Sequence, residues 1–202
     1  MQNVQIRFAV PDDAPDILEI YAPYVLKTAI TLTSQVPTVQ QIAQTMQDVQ
    51  RHYPYLVCCI ADKVVGFAFA GRSRPHEAYN WNAETSIYIS PDHQGRGIAT
   101  ALYTALLQLL RLQGYCNVYA IITLPNDASV ALHKHFGFNE LTLMRQGGFK
   151  LGQWRDVLWM EYRIPNCCDP NSHGRPIRPD ELNQNDVDTS LAMATALLSG
   201  AQ

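Results

Sequence analysis

One short turn, Gln94-Gly95-Arg96-Gly97-Ile98-Ala99, constrains the fold more than any other stretch of the chain. It lies between a run that alternates as a strand and a run that repeats as a helix. Over residues 84–90, Thr85, Ile87 and Ile89 fall on one side and Glu84, Ser86 and Tyr88 on the other. Past the turn, Leu102, Leu106, Leu109 and Leu110 make a buried helical stripe that Gly114 ends. The two glycines let backbone approach a ligand closely, and a helix starting there aims unpaired N–H groups at it. Such a turn suits a phosphate or pyrophosphate, with the Arg96 charge alongside. It is neither a dinucleotide fingerprint, which needs a third glycine, nor a P-loop, which needs Gly-Lys-Ser/Thr. On this motif alone a plain helix-start loop is an equal reading.

The remaining segments arrange themselves around that unit. Residues 4–9 alternate as a first strand, and Asp12 or Asp13 starts a helix that Pro23 should kink or end. Thr38 followed by Gln41 is a capping-box pattern, predicting a helix to about residue 52. Residues 55–61 and 64–70 read as a hairpin, and 118–124 as a strongly β run. Pro125-Asn126-Asp127 turns into a short helix stopped by Gly137, and two strands follow near 139–144 and 154–164. The prediction is an α/β chain in α+β layering, with a single, mostly antiparallel central sheet flanked by helices. Residues 1–164 are expected to form the domain. Residues 165–202, rich in Pro and Asn, are expected to be a peripheral or partly disordered tail whose removal leaves the domain folded.

Composition narrows the class. The chain has 202 residues and a net charge of −3, so no general attraction to nucleic acid or acidic lipid is expected. No apolar run is long enough to span a membrane, and the opening MQNVQIRFAVPDD lacks the pattern of a secretory signal. A cytoplasmic protein is expected. Cys58, Cys59, Cys116, Cys167 and Cys168 are odd in number and lack the spacing of a zinc site, so no metal is expected.

The turn opening a helix after a strand resembles the acetyl-CoA pyrophosphate loop of the GNAT superfamily of N-acetyltransferases. The resemblance extends to the segment 126–138, an Asn followed by a short helix ending in Gly-Phe. It narrows to the phosphinothricin and methionine sulfone N-acetyltransferase group through Ala78-Tyr79-Asn80-Trp81-Asn82-Ala83-Glu84, Leu124-Pro125-Asn126, Leu132-His133, and Phe149-Lys150 with Trp154, Asp156 and Val157. The match covers roughly residues 4–163.

The resemblance implies an acetyl-CoA-binding N-acyltransferase fold and acetyl transfer to the amino group of a small amino acid or analogue, of the phosphinothricin, methionine sulfone or sulfoximine type. Amine nucleophiles are mostly protonated at neutral pH, so the reaction needs a base. The resemblance assigns that role to Glu84 and assistance to the leaving thiolate to His133; a solvated strand-end carboxylate and a surface histidine are the plainer readings. It assigns the acetyl, pantetheine and pyrophosphate to Ile87, Tyr88, Ile89, Gln94, Gly95, Arg96, Gly97, Ile98, Ala99, Thr100, Asn126 and Ser129. Asn126 or Ser129 could equally be only a helix cap. It assigns the amine substrate to Arg74, His76, Tyr79 and Thr85, with Tyr79 and Trp81 either walling the amine site or sealing the sheet edge. The terminal hairpin with Lys150, Trp154 and Asp156 implies a homodimer.

Herbicide-resistance members of that group have Arg where this chain has His76, Lys in place of Arg74, Phe-Glu or Phe-Arg in place of Leu32-Thr33, and His in place of Leu151. These departures surround the amine rather than the cofactor. Two alternatives stay open: a protein or peptide N-acetyltransferase, and a non-catalytic CoA-binding module.

Overall fold

A computed structural model describes residues 3–165, 167 and 174–199. Cys168 and the other predicted tail residues at 166, 168–173 and 200–202 lie outside the described residues.

Arg7 in β1 (Val4–Phe8) grips Asp13 through two hydrogen bonds of 2.7 and 2.8 Å, and Asp13 also accepts from the Val10 N–H. That nearly buried carboxylate sets the entry to α1 (Ala14–Lys27). Pro23 does not end this helix, which runs on to Lys27. A proline removes one ladder bond. Against that cost, the next turn buries Tyr24 and Val25, and the Tyr24 hydroxyl donates to the Ile89 carbonyl at 2.6 Å. The capping box forms as predicted. Thr38 Oγ1 accepts from the Gln41 N–H and Gln41 Oε1 from the Thr38 N–H, opening α2 (Val39–Gln50).

The hairpin of β2 (Tyr55–Ile60) and β3 (Lys63–Arg72) follows, turning through Ala61 and Asp62, both at positive φ. Then come β4 (Asn82–Ile89), α3 (Ile98–Gln113), β5 (Asn117–Thr123), α4 (Asp127–His135), β6 (Asn139–Lys150) and β7 (Gln153–Arg163). Strand β6 runs longer than predicted, because a bulge carries the pairing past Gln146, whose N–H donates to Asp156. One sheet results, in the order β1-β2-β3-β4-β5-β7-β6, antiparallel except where β4 lies beside β5.

The sheet has a core on each face. The α1 and α2 side packs Ile17, Ile20, Ile42 and Met46 against Val57 and Phe67. The α3 side packs Leu102, Leu106 and Leu109 against Leu56, Ala68, Val118 and Met160. Cys58, Cys59, Cys116 and Cys167 are buried.

The expectation of a peripheral tail needs correction for its helical part. Helix α5 (Gln184–Ser199) packs on α3 and β1, burying Val187, Ala194 and Leu198 in the α3-side core. Val187, Leu191, Ala194 and Leu198 recur at helical spacing, a short stripe of mostly small residues that is weak as a pattern yet sufficient for close packing. Thr195 Oγ1 accepts the Ile6 N–H at 3.0 Å along the free edge of β1. Ahead of the helix, Ile177 exchanges two hydrogen bonds with Gln113, and Trp81 Nε1 donates to the Gly174 carbonyl. Trp81 thus packs on the C-terminal segment.

Candidate functional site

Strands β4 and β5 share three partner pairs, the last being Glu84 with Tyr119. Beyond it they part, while β4 stays joined to β3 as far as Ile89. The backbone polar groups that β4 turns toward β5 past Glu84 therefore have no strand partner there, and a ligand that enters the gap can use them.

A cleft of about 530 Å³ occupies this opening. It is lined by Ile87, Tyr88, Ile89, Gln94, Gly95, Gly97, Ile98, Ala99, Thr100, Asn126 and Ser129, so eleven of the twelve residues expected at the cofactor come together. Arg96 is exposed and lies outside the lining. Gly95 and Gly97 sit at φ +73 and +76, a region other residues enter only with strain. Gln94 turns inward, its Nε2 donating to the Tyr24 hydroxyl at 3.0 Å. Tyr24 is thereby bonded to the turn and to the end of β4 at once. Asn126 caps α4, its side chain accepting from the Ser129 N–H.

Thr85 points into the α3 face, away from the amine side where it was expected. Its hydroxyl lies 2.5 Å from the Tyr103 hydroxyl, which lies 2.8 Å from His133 Nε2. His133 is 3 % exposed, and its Nδ1 lies 2.7 Å from the Ser129 carbonyl, which can only accept. Neutral His133 therefore carries its proton on Nδ1, and hydrogen bonds run from Thr85 through Tyr103 into Nε2. Protonated His133 reverses them: Nε2 donates to Tyr103, Tyr103 to Thr85, and Thr85 to the Tyr119 carbonyl at 3.2 Å. Every partner is satisfied in either state. Burial pulls the His133 pKa below its ordinary value, opposed by the bond to Ser129.

A second cavity, about 460 Å³, opens on the α1 and α2 face. Ile30, Ser86, Tyr88 and Ile121 border both cavities, which meet where the strands part. The walls combine aromatic rings (Tyr21, Tyr55, Phe67, Phe69 and Tyr88) with the hydroxyls of Thr31, Thr33, Thr45, Ser86 and Thr123. Among the described lining residues Glu84 alone is charged. Burial pushes its carboxyl above the usual carboxylate range, and nearby Arg74 pulls it back in part.

Arg74 is exposed, its guanidinium 5.0 Å above the Trp159 ring. Tyr79 is 43 % exposed, and neither it nor His76 lines either cavity. The loop bearing Thr31 and Thr33 is held instead from the far hairpin. Buried Lys150 donates to the Thr31 carbonyl at 2.6 Å, and Gly148 lies so close to Leu32 that a side chain there would collide with it.

Sequence reasoning missed Tyr21, Thr31, Phe67 and Phe69 around the amine-side cavity, and Tyr24 and His93 at the cleft; Leu32 and Thr33, expected around the amine, do line that cavity. Strand parity offered a signal for part of this, since Phe67 pairs with Tyr88 and Phe69 with Ser86, on the Glu84 face. Loop residues carried none. The cleft's features fit an extended phosphate-bearing thioester: a helix start with left-handed glycines, unpaired β4 backbone, and a buried His93 Nδ1 without a hydrogen-bond partner among the described residues.

Comparison with known proteins agrees with this architecture. The family described as "Acetyltransferase (GNAT) domain" matches residues 6–159. A phosphinothricin N-acetyltransferase of Streptomyces viridochromogenes is 34 % identical over 178 residues, covering 87 % of this chain and 94 % of that protein. An L-methionine sulfoximine/L-methionine sulfone acetyltransferase of Pseudomonas aeruginosa is 34 % identical, covering 80 % and 95 %. Among solved structures, a phosphinothricin acetyltransferase from Sinorhizobium meliloti in complex with acetyl-CoA superimposes with a TM-score of 0.79 at 32 % identity, over 89 % of this chain and 97 % of that one.

Proposed function

This chain belongs to the GNAT acetyltransferases and is an acetyl-CoA-dependent N-acetyltransferase; from that premise we propose that its acceptor is the amino group of a small amino acid or analogue. One observation carries the reading: the two cavities meet at the gap between β4 and β5, with Glu84 as the one charged group among the described residues of the amine side. Eight hydroxyl side chains in that lining (Tyr21, Thr31, Thr33, Thr45, Tyr55, Ser86, Tyr88 and Thr123) favour a substrate whose far end carries neutral oxygens, such as a sulfone or sulfoximine, over one with a second anion.

Acetyl-CoA supplies an acetyl group activated as a thioester. Glu84 takes a proton from the substrate ammonium, leaving an amine whose lone pair attacks the acetyl carbon. A carboxyl already pushed upward by burial is a stronger base than a solvated one. Backbone N–H groups over Ile87, Tyr88 and Ile89 receive the negative charge that develops on the acetyl oxygen. As the carbon–sulfur bond breaks, the sulfur leaves with the bonding pair and needs a proton. Protonated His133, which lines the cleft, provides it, its Nε2–H leaving Tyr103 for the sulfur. A buried ring holds that proton weakly and yields it readily.

A homodimer through the terminal hairpin belongs to the same proposal. Leu141, Leu143, Met144, Phe149, Leu151 and Trp154 are all 41–60 % exposed on or between β6 and β7, an apolar strip wanting a partner.

The test is a panel of amino acids, sulfone and sulfoximine analogues, phosphinothricin and short peptides with acetyl-CoA, following thiol release. The highest kcat/KM is expected for a sulfone or sulfoximine. A peptide preferred over every free amino acid would sink the small-molecule reading.

A further inference from the structure

Helix α5 lies outside the residues that the family profile matches, and it runs antiparallel to α3. Its approach is made near the end of α3, where Ile177 and Gln113 exchange hydrogen bonds. Its far end reaches the start of α3. There Leu198, 8 % exposed, is the one neighbour among the described residues that a side chain on Gly97 would meet within 4 Å, with Cδ2 3.9 Å from the Cβ position. The bare side of Gly97 therefore faces α5, while its backbone faces the cleft. Leu198 bounds that side: it leaves room for a methyl and limits any larger swing of the turn. Two further contacts hold Leu198 in place: Thr195, one turn earlier, is bonded to the Ile6 N–H, and Ala194 is fully buried.

We propose that α5 is a positioning element for the cofactor, with Leu198 bracing the Gly97 turn so that its N–H groups are set for the pyrophosphate before binding. Preorganised donors bind more tightly than donors that must be ordered on contact. The proposal rests on the reading of that turn as the pyrophosphate seat. Leu198 touches neither cavity and is a positioning residue, not a catalytic one.

The experiment compares Leu198→Ala with Leu197→Ala, a control on the exposed side of the same helix. Each is measured with acetyl-CoA and with S-acetylpantetheine, which has the thioester but no pyrophosphate. The expected result is a KM for acetyl-CoA raised about tenfold by Leu198→Ala, less than the roughly hundredfold that a misplacement of about 1 Å can cost. Amine KM, saturated kcat and kcat/KM for S-acetylpantetheine should stay at their wild-type values, and Leu197→Ala should change nothing. Equal losses with both thioesters, or an unchanged acetyl-CoA KM in a folded variant, overturns the proposal. Leu198→Val, shorter by one carbon, gives an intermediate loss and keeps the test open if the alanine variant does not fold. Wild-type protein with no preference for acetyl-CoA over S-acetylpantetheine would instead remove the pyrophosphate reading of the turn.

Discussion

The cofactor cleft and the amine-side cavity meet along strand β4, Ile121 of β5 and Ile30, and differ in what builds the rest of them. The cleft is built mostly from backbone: a parted strand, two left-handed glycines and the starts of two helices. The amine side is built from side chains delivered by α1, α2, the loop between them and strands β2 to β5, and is braced by Lys150 from a distant hairpin. Backbone can serve any thioester of the right shape, whereas side chains can be exchanged without disturbing the fold. The design separates a constant reaction from an adjustable acceptor. Changes on one side should therefore move constants belonging to that side alone.

Glu84→Gln, at the junction, should have the largest effect. A turnover loss of about a hundredfold or more at neutral pH is expected, with acetyl-CoA affinity retained and partial recovery at high pH as the amine deprotonates itself. In wild-type protein the acid limb of kcat/KM should lie above the ordinary carboxyl value of 4.5, because the base must be ionised and burial raises its pKa. Stability carries the opposite sign. A raised folded-state pKa makes ionisation costly to the fold, absent below the ordinary range and complete above the raised value. Glu84→Gln should thus raise Tm at neutral pH, and the gain should vanish as the pH falls below that range. A hundredfold loss of acetyl-CoA affinity in this variant would break the separation.

Gly97→Ala comes next. The Cβ has room, so the penalty is the left-handed backbone, on the order of 1–2 kcal/mol or about tenfold in acetyl-CoA affinity. Calorimetric titration with acetyl-CoA reads it directly, and amine KM should not follow. Lys150→Met tests the other side. Losing the bond to the Thr31 carbonyl should loosen the wall and raise amine KM about fivefold, the scale of one hydrogen bond. An equal rise in acetyl-CoA KM would show that the hairpin supports both cavities.

The smallest effect is expected from Arg74→Ala. Its guanidinium over Trp159 contributes about 0.5–1 kcal/mol and can be drawn off toward a substrate carboxylate beside Glu84. KM should rise a few-fold for amino acids and hardly for their amides. Equal changes for acid and amide would make Arg74 a surface charge with no part in recognition.

The same contrast explains what could be read in advance. The cleft's parts lie close together in the chain, between Asn82 and Gln113 and again between Asn126 and Gly137, and each carries a local signature: alternation, paired glycines, a capping Asn. The amine side has no such signature. Thr31 and Thr33 sit in a loop without periodicity, and nothing near Lys150 says that it will cross to Thr31 from 119 residues away. The resemblance puts Thr85 with the amine, whereas strand alternation already puts it on the face opposite Glu84. Helix α5 was undervalued because Ala194 and Thr195 are weak hydrophobic signals, and its packing shows only when α3 is alongside.

The sheet has two margins, and they are treated differently. Along β1 the Ile6 N–H is taken by Thr195 and the helix lies over the strand, whereas among the described residues β6, at the other margin, pairs with β7 alone. Growth by strand addition needs an open margin at both ends of every unit, and this unit has one. Two copies that met along β6 would leave only capped margins outward, so the association would close at a pair and could not run on into a filament. Stripping α5 would restore the second margin, and with it the hazard of open-ended assembly.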